Sequence, residues 1–294
     1  MKQVDFNYLV CHFPERPDNA HKGTMGTLCS ITGSRGFSGA AILSAKAALR
    51  TGVGLHYQLI PDCIYPIFAS SVYESVCVPL TGGTGTVCPA DFNTIRQTLQ
   101  KATAVLIGCG MGLNDDTRAV IFDLIRSREK PLIIDADGIN ALSGHIHILE
   151  ERKAPVILTP HIKEFSRISG LSVEDILRDP AGAARNFAGA HGNTVLVLKS
   201  HRTYIAQGDR LYENTAGNSG MAKGGSGDVL AGIISSLAAQ GTEPLEAAVM
   251  GVHIHALAGD LAAEKYARTA MLPSDIISAL PEIYSMIEHS RNHT

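Results

Sequence analysis

Apolar residues recur along the chain in two alternating rhythms. Short, almost wholly apolar runs read as strands: Thr27 to Thr32, Leu55 to Ile60, Ser75 to Leu80, Ala104 to Gly108, Leu132 to Asp135, Val156 to Thr159 and Thr194 to Lys199. Between them the apolar positions fall at i, i+3, i+4, which predicts helices over Ala40 to Arg50, Ala90 to Gln100, Thr117 to Arg128 and Ile139 to Glu151. A proline-bounded helical piece follows the second strand, and two helical segments fill the stretch from Lys163 to Ala190. Arg202 to Ala206 and Arg210 to Glu213 form a hairpin pair about Gln207-Gly208-Asp209, and three helices run from Asp228 to His289. Strands alternating with helices predict an α/β fold with a mainly parallel sheet. Runs such as AVLIG and VLVL, apolar throughout, predict helices covering both faces, a three-layer α/β/α sandwich. With no repeat, low-complexity segment or Ser/Pro linker, residues 1–294 read as one domain, and residues 1–20 as a loosely attached lead-in.

Composition narrows the partners. The formal net charge of −3 and the lack of any Lys/Arg run argue against nucleic acid or an anionic membrane. No apolar run approaches the ~20 residues of a membrane helix, and the N-terminus lacks the apolar core of a signal peptide. The six cysteines are scattered without C-x-x-C, so four or five read as small buried hydrophobes and a cytoplasmic setting is expected. The 29 glycines exceed the average usage of about 7%, and their positions matter more than their number.

They collect at strand ends, where sheets of this kind bind ligands. GSRGFSG follows the first strand, Gly108-Cys109-Gly110-Met111-Gly112 follows AVLI, and Asp135-Ala136-Asp137-Gly138 follows LII. Thr159-Pro160-His161 and Lys199-Ser200-His201-Arg202-Thr203 close two later strands. The densest stretch is Gly224-Gly225-Ser226-Gly227-Asp228, directly ahead of Val229, Leu230, Ile233, Ile234 and Leu237 at helical spacing. Glycines at a helix start turn amide N–H groups toward one point, and the helix dipole favours an anion there. Asp228 has two readings: an acid stabilising the first turn, or a base taking a proton from a hydroxyl beside a bound phosphoryl group. Asp135 and Asp137 are either turn residues or orient Mg²⁺ waters. GCGMG is not the G-x-G-x-x-G of a dinucleotide fold, and MAKGGSGD lacks the G-K-[ST] of a Walker A loop. His253 and His255, two apart on a helix, do not chelate together, and surface or satisfied-core roles are expected for them and for His145 and His147.

HKGTMG, GSRGFSGA, GCGMG, DADGINAL, TPH–E and above all NTAGNSGMAKGGSGDVLAG, spread from His21 to about Ile276, resemble the ADP/ATP-dependent NAD(P)H-hydrate dehydratases of the ribokinase-like superfamily, in a stand-alone bacterial-type form. The resemblance implies repair of hydrated NADH and NADPH (NADHX, NADPHX): the ring hydroxyl is phosphorylated by ADP or ATP and phosphate is then eliminated. It implies Asp228 as base, with Gly225, Ser226 and Gly227 amides receiving the phosphoryl charge. Lys199, Ser200, His201, Arg202, Thr203 and Gly227 would contact the nucleotide, and Ala40, Gly110, His161 and Asp228 the hydrated dinucleotide. Mg²⁺ would be held through the phosphates rather than by a side chain, and a homo-oligomer, such as a tetramer, is expected. The alternative is a small-molecule kinase of the same superfamily acting on a vitamin-precursor or sugar hydroxyl. TPHIKE and KSHRT depart from the family's TPHPGE and KGA-type patterns, and GCGMG from GPGLG.

Overall fold

A computed structural model describes residues 1–292. Its centre is one ten-stranded sheet: β1 (Lys2–Gln3), β2 (Thr27–Ile31), β3 (Leu55–Pro61), β4 (Val76–Leu80), β5 (Ala104–Ile107), β6 (Leu132–Ile134), β7 (Val156–Leu158), β8 (Thr194–Leu198), β9 (Thr203–Gln207) and β10 (Arg210–Asn214). The spatial order is β1-β10-β9-β8-β7-β6-β5-β2-β3-β4. Only β9 runs against its neighbours, pairing antiparallel with both β8 and β10. The chain builds outward from β2 to β3 and β4, then returns to lay β5 on the other side of β2. The order therefore reverses between β2 and β5, and a crevice opens beyond the strand ends at such a switch point.

Period-two alternation divides the strand side chains between two cores. Ala104 and Leu106 of β5, Val195 and Val197 of β8, and Ile133 of β6 enter one core. Val105, Ile107, Leu196, Leu198, Leu132 and Ile134 enter the other. Both faces are therefore covered, the expected three layers.

The helices follow in chain order. They are α1 (Phe6–His12), α2 (Ser38–Arg50), α3 (Tyr65–Ala69), α4 (Phe92–Leu99), α5 (Asp115–Ser127), α6 (Asp137–Ala141), α7 (Ile162–Ser169), α8 (Val173–Arg178), α9 (Pro180–Ala190), α10 (Ser226–Ala239), α11 (Pro244–Ala270) and α12 (Pro273–Arg291). On the first face α2, α10, α11 and α12 pack together. Ala41, Ala45, Ala47 and Ala48 make α2 slim, and α10 is buried along nearly its whole length against it. This central position of α10 fixes its N-terminus beside the ends of β5 and β6.

Three expectations are corrected. Residues 1–13 of the lead-in are docked rather than loose: β1 pairs with β10, Leu9 of α1 is fully buried, and Arg291 of α12 donates to the Val10 carbonyl at 2.7 Å, whereas residues 14–20 form no helix or strand. Burying a leucine is worth about 1.5–3 kcal/mol, enough to hold a short helix down. The helix expected over Ile139 to Glu151 is α6 followed by a separate 3₁₀ segment, Ile146–Glu151, because Gly144 turns the chain at φ +74°. The stretch from Lys163 to Ala190 holds three helices, not two, broken at the left-handed C-cap Gly170 and at Asp179-Pro180.

Candidate active site

The site lies where the ends of β5, β6, β7 and β8 meet the start of α10. Gly225 caps α10 in the left-handed region, φ +102°, a conformation that a side chain would strain. The loop ahead of it is seated on the α11–α12 junction. Lys223 Nζ donates to the carbonyls of Thr269 (2.8 Å) and Met271 (2.6 Å), beside Ala267, whose φ of +62° breaks α11. Helical hydrogen bonding starts with the Val229 amide on Gly225 O, so the amides of the preceding turn lack intrahelical partners. The Ser226 amide, expected to face the anion, instead donates back to Lys223 O at 3.2 Å. Its hydroxyl is buried and unpartnered.

Asp228, in the first turn, is half-buried rather than turned to solvent. Burial, and then the nearby Asp135 carboxylate, push its pKa up to about 7, against the pull of a Cys109 hydrogen bond and the Lys199 charge. Asp135 is buried at the end of β6. Its Oδ1 receives Lys199 Nζ at 2.9 Å and Thr159 Oγ1 at 2.6 Å, and its Oδ2 lies 3.6 Å from Cys109 Sγ. Burial alone would raise the Asp135 pKa, but Lys199 and these donors hold it below the usual carboxylate range. Burial likewise opposes the Lys199 charge, yet Asp135 and Glu164 outweigh it and hold the ammonium above its ordinary value. Lys199, expected at the nucleotide, thus has its ammonium committed to Asp135, directly under the helix start. A Cβ placed on Gly227 would lie 3.3 Å from Lys199 Nζ.

The other expected residues lie on the segments that follow β2, β5, β7 and β8. Toward β5, Ala40 and Gly110 touch: a Cβ on Gly110 (φ +58°) would lie 2.8 Å from that of Ala40. Ser34 Oγ on Gly110 O and the Gly33 amide on Cys109 O tie these loops together, both at 2.8 Å. Toward β8, His161 bridges to Lys199 and caps α7. Its Nδ1 accepts from the amides of Lys163 and Glu164, both at 3.1 Å, while Glu164 Oε2 accepts the His161 amide at 2.9 Å. An accepting Nδ1 puts the ring hydrogen on Nε2. Burial and Lys199 lower the His161 pKa, which keeps the ring neutral. This reciprocal cap holds the loop's shape with Lys163 in place of a glycine. Ser200, His201 and Arg202 are exposed and Thr203 is half-buried in the β8–β9 turn, where Ser200 Oγ donates to Arg202 O (2.6 Å) and Arg202 pairs with Glu213 (3.0 Å).

Asp137 opens α6, and its Oδ2 accepts the Gly112 amide at 2.9 Å, tying the β5 and β6 loops together. Cys109, Asp135 and Asp228 bring potential ligand atoms within 4.8 Å of one another. A thiol and a carboxylate already bonded to lysine do not make the oxygen octahedron that Mg²⁺ prefers, so no side-chain cage for that ion is assigned.

Sequence reasoning missed Cys109 and Thr159 as parts of the site, although both lie inside motifs it singled out. Cysteine was read by composition; only Cys29, Cys88 and Cys109 are buried, against the four or five expected. The histidines divide as well. His253 is a satisfied core residue, its Nδ1 2.7 Å from Asn214 Oδ1. His255 is buried with Nε2 unpartnered, and burial, with Lys199 adding to it, lowers its pKa to about 4.

Fold and site together define a ribokinase-like protein. A ribokinase-like superfamily protein of Enterococcus faecalis superposes with a TM-score of 0.86 at 28% identity, over 97% of this chain and 96% of that one. The chain is also similar to the ADP/ATP-dependent NAD(P)H-hydrate dehydratase of Bacillus subtilis co-crystallised with ATP/Mg²⁺ (TM-score 0.83, 27% identity, 97% and 98% covered). The family model for NAD(P)H-hydrate dehydratase matches residues 28–282, and the chain belongs to that family. It is 35% identical over 256 residues to an ADP-dependent (S)-NAD(P)H-hydrate dehydratase of Neisseria meningitidis, covering 86% of this chain and 82% of that one. It is 39% identical over 282 residues to a bifunctional NAD(P)H-hydrate repair enzyme of Thermofilum pendens, covering 95% of this chain and 53% of the relative. The chain spans about half the length of such bifunctional relatives.

Proposed function

We propose that the protein dehydrates NADHX and NADPHX back to NADH and NADPH at the expense of ADP or ATP. The observation that carries the reading is the placement of Asp228: a half-buried carboxylate in the first turn of α10, within 4.8 Å of the Cys109 and Asp135 side chains and facing the Lys199 charge. A pKa near 7 suits a general base, since half the groups are then ready to accept a proton at neutral pH. In this reading Asp228 takes the proton of the ring hydroxyl as its oxygen attacks the terminal phosphorus of the nucleotide. The amides of Gly225 and Gly227 receive the charge on the transferred group, aided by the dipole of α10. The Ser226 amide, turned to Lys223, supports the loop instead.

The ring nitrogen's lone pair then expels phosphate, a far better leaving group than hydroxide, and the dihydropyridine is restored. With ADP the balance is hydrated dinucleotide plus ADP giving reduced dinucleotide, AMP and phosphate. Ser200, His201, Arg202 and Thr203 border the nucleotide, and Ala40, Gly110 and His161 the dinucleotide, with His161 Nε2–H as a donor. Mg²⁺, carried on the nucleotide phosphates, would neutralise charge during transfer.

Six free cysteines fit a reducing, cytoplasmic setting, and no helix among the described residues is long and apolar enough to cross a membrane. A homo-oligomer belongs to the same reading. The test is phosphorus NMR of a reaction containing NADHX, Mg²⁺ and ADP or ATP. Free phosphate formed with reduced dinucleotide supports dehydration; a stable phosphoester would mark a small-molecule kinase instead.

A further inference from the structure

Cys109 is fully buried at the end of β5, with its sulfur between two carboxylates. Sγ lies 3.6 Å from Asp135 Oδ2, to which the thiol donates, and an Asp228 carboxylate oxygen lies within 4.8 Å of the same sulfur. A thiol has one hydrogen, so the two acids compete for it. They compete unequally, because Asp135 Oδ1 already holds Lys199 Nζ at 2.9 Å and Thr159 Oγ1 at 2.6 Å. The charged groups facing Asp228 are Asp135 at the end of β6 and Asp137 at the start of α6, both of which resist its ionisation, and Lys199 at the end of β8. Lys199 is committed to Asp135 and faces Glu164 of α7 as well. On α11, His255 lies beside Lys199 and the Ser226 backbone and is held neutral, so it adds no positive charge.

We propose that Cys109 is a positioning residue for Asp228, its thiol hydrogen turning from Asp135 to Asp228 as Asp228 ionises and so keeping that carboxylate available. Burial, with Asp135 and Asp228 adding to it, keeps the thiol protonated and therefore a donor rather than a nucleophile. The sequence stretch GCGMG gives this chain such a donor; a proline at the same position could not supply one. The inference rests on the reading of Asp228 as the base.

The experiment is the pH profile of kcat/KM for ADP-dependent NADHX turnover in the wild type, Cys109→Ala and Cys109→Ser. The alanine variant is expected to move the acid limb upward by about half a pH unit or more, with a nearly unchanged plateau, and serine to restore it. A plateau that drops while the limb stays in place, or equal shifts in both variants, overturns the proposal. Asp228→Asn, assayed in parallel, separates the two claims. Full activity there removes the base itself, whereas lost activity with an unmoved Cys109→Ala limb removes only the thiol's part. A second readout needs no turnover: the infrared S–H stretching band, isolated by difference against Cys109→Ser. It should shift as pH passes through the Asp228 titration, and a band constant across that range contradicts the proposal.

Discussion

Replacing Lys199 by methionine removes the ammonium from Asp135 and leaves a carboxylate with 3% side-chain exposure and no counter-charge. Breaking one side of a buried pair costs about 3–5 kcal/mol. The lower figure applies here, because Lys199 is itself 21% exposed and Thr159 and Cys109 remain as donors. At about 2–4 °C per kcal/mol, the melting temperature should fall by about 6 °C or more at pH 7. The sign of the pH dependence follows from both partners. The Asp135 pKa is depressed, so its contribution is present above the unfolded carboxylate range and is lost as pH falls through the lower folded value. The Lys199 pKa is raised, so its contribution is present below the ordinary lysine range and lost only as pH rises beyond it. The gap between wild type and variant should therefore close in acid below about pH 4 and widen as pH rises through the range in which the unpaired Asp135 ionises. Lys199→Met combined with Asp135→Asn has no unpaired charge and should be more stable than Lys199→Met alone. Calorimetric melts of the four proteins across pH decide it. A double variant as unstable as the two single losses added together would refute the pairing.

Asp228→Asn should lower turnover about 100-fold or more while nucleotide binding survives, as measured by steady-state kinetics beside ADP titration calorimetry. The same variant should be more stable than wild type at pH 8 and no more stable at pH 4. The Asp228 pKa is raised, so the folded state loses stability as pH climbs from the unfolded carboxylate value to about 7. Gly108→Ala should be destabilised by about 3 kcal/mol or more, since its φ is +110° and a Cβ there would lie 2.0 Å from the Asp135 carbonyl oxygen. Gly189→Ala, exposed in α9 with open space around it, should instead stabilise by about 0.5–1 kcal/mol; denaturant melts of both check the pair.

Strand positions were legible because β5, β6 and β8 are buried on both faces and read as unbroken apolar runs. The start of α10 was legible for a related reason: a glycine-rich loop followed by five apolar residues at helical spacing has few other solutions. Residues 1–13 were misread since the stability of β1 and α1 comes from partners near the other end of the chain, β10, α11 and α12, which no local pattern reveals. The break at Gly144 shows the reverse, a local signal hidden inside a helical rhythm. In the site, Lys199, Gly227 and Asp228 gather about Asp135 and Cys109, while their roles depend on what each side chain meets. Lys199 turns inward to Asp135, and the Ser226 amide turns back to Lys223. Cys109 acquires chemistry only because two acids from β6 and α10 converge on its sulfur.

In the proposed reaction Asp228 and the start of α10 transfer a phosphoryl group to a hydrated nicotinamide ring, which then loses it. The reaction's most direct measurement is the recovery of dihydronicotinamide absorbance when the purified protein meets NADHX, Mg²⁺ and either nucleotide. Recovery should depend on nucleotide, release one phosphate for each dinucleotide repaired, and be nearly abolished in Asp228→Asn. Absent recovery with both ADP and ATP, from folded protein that binds either one, would contradict it.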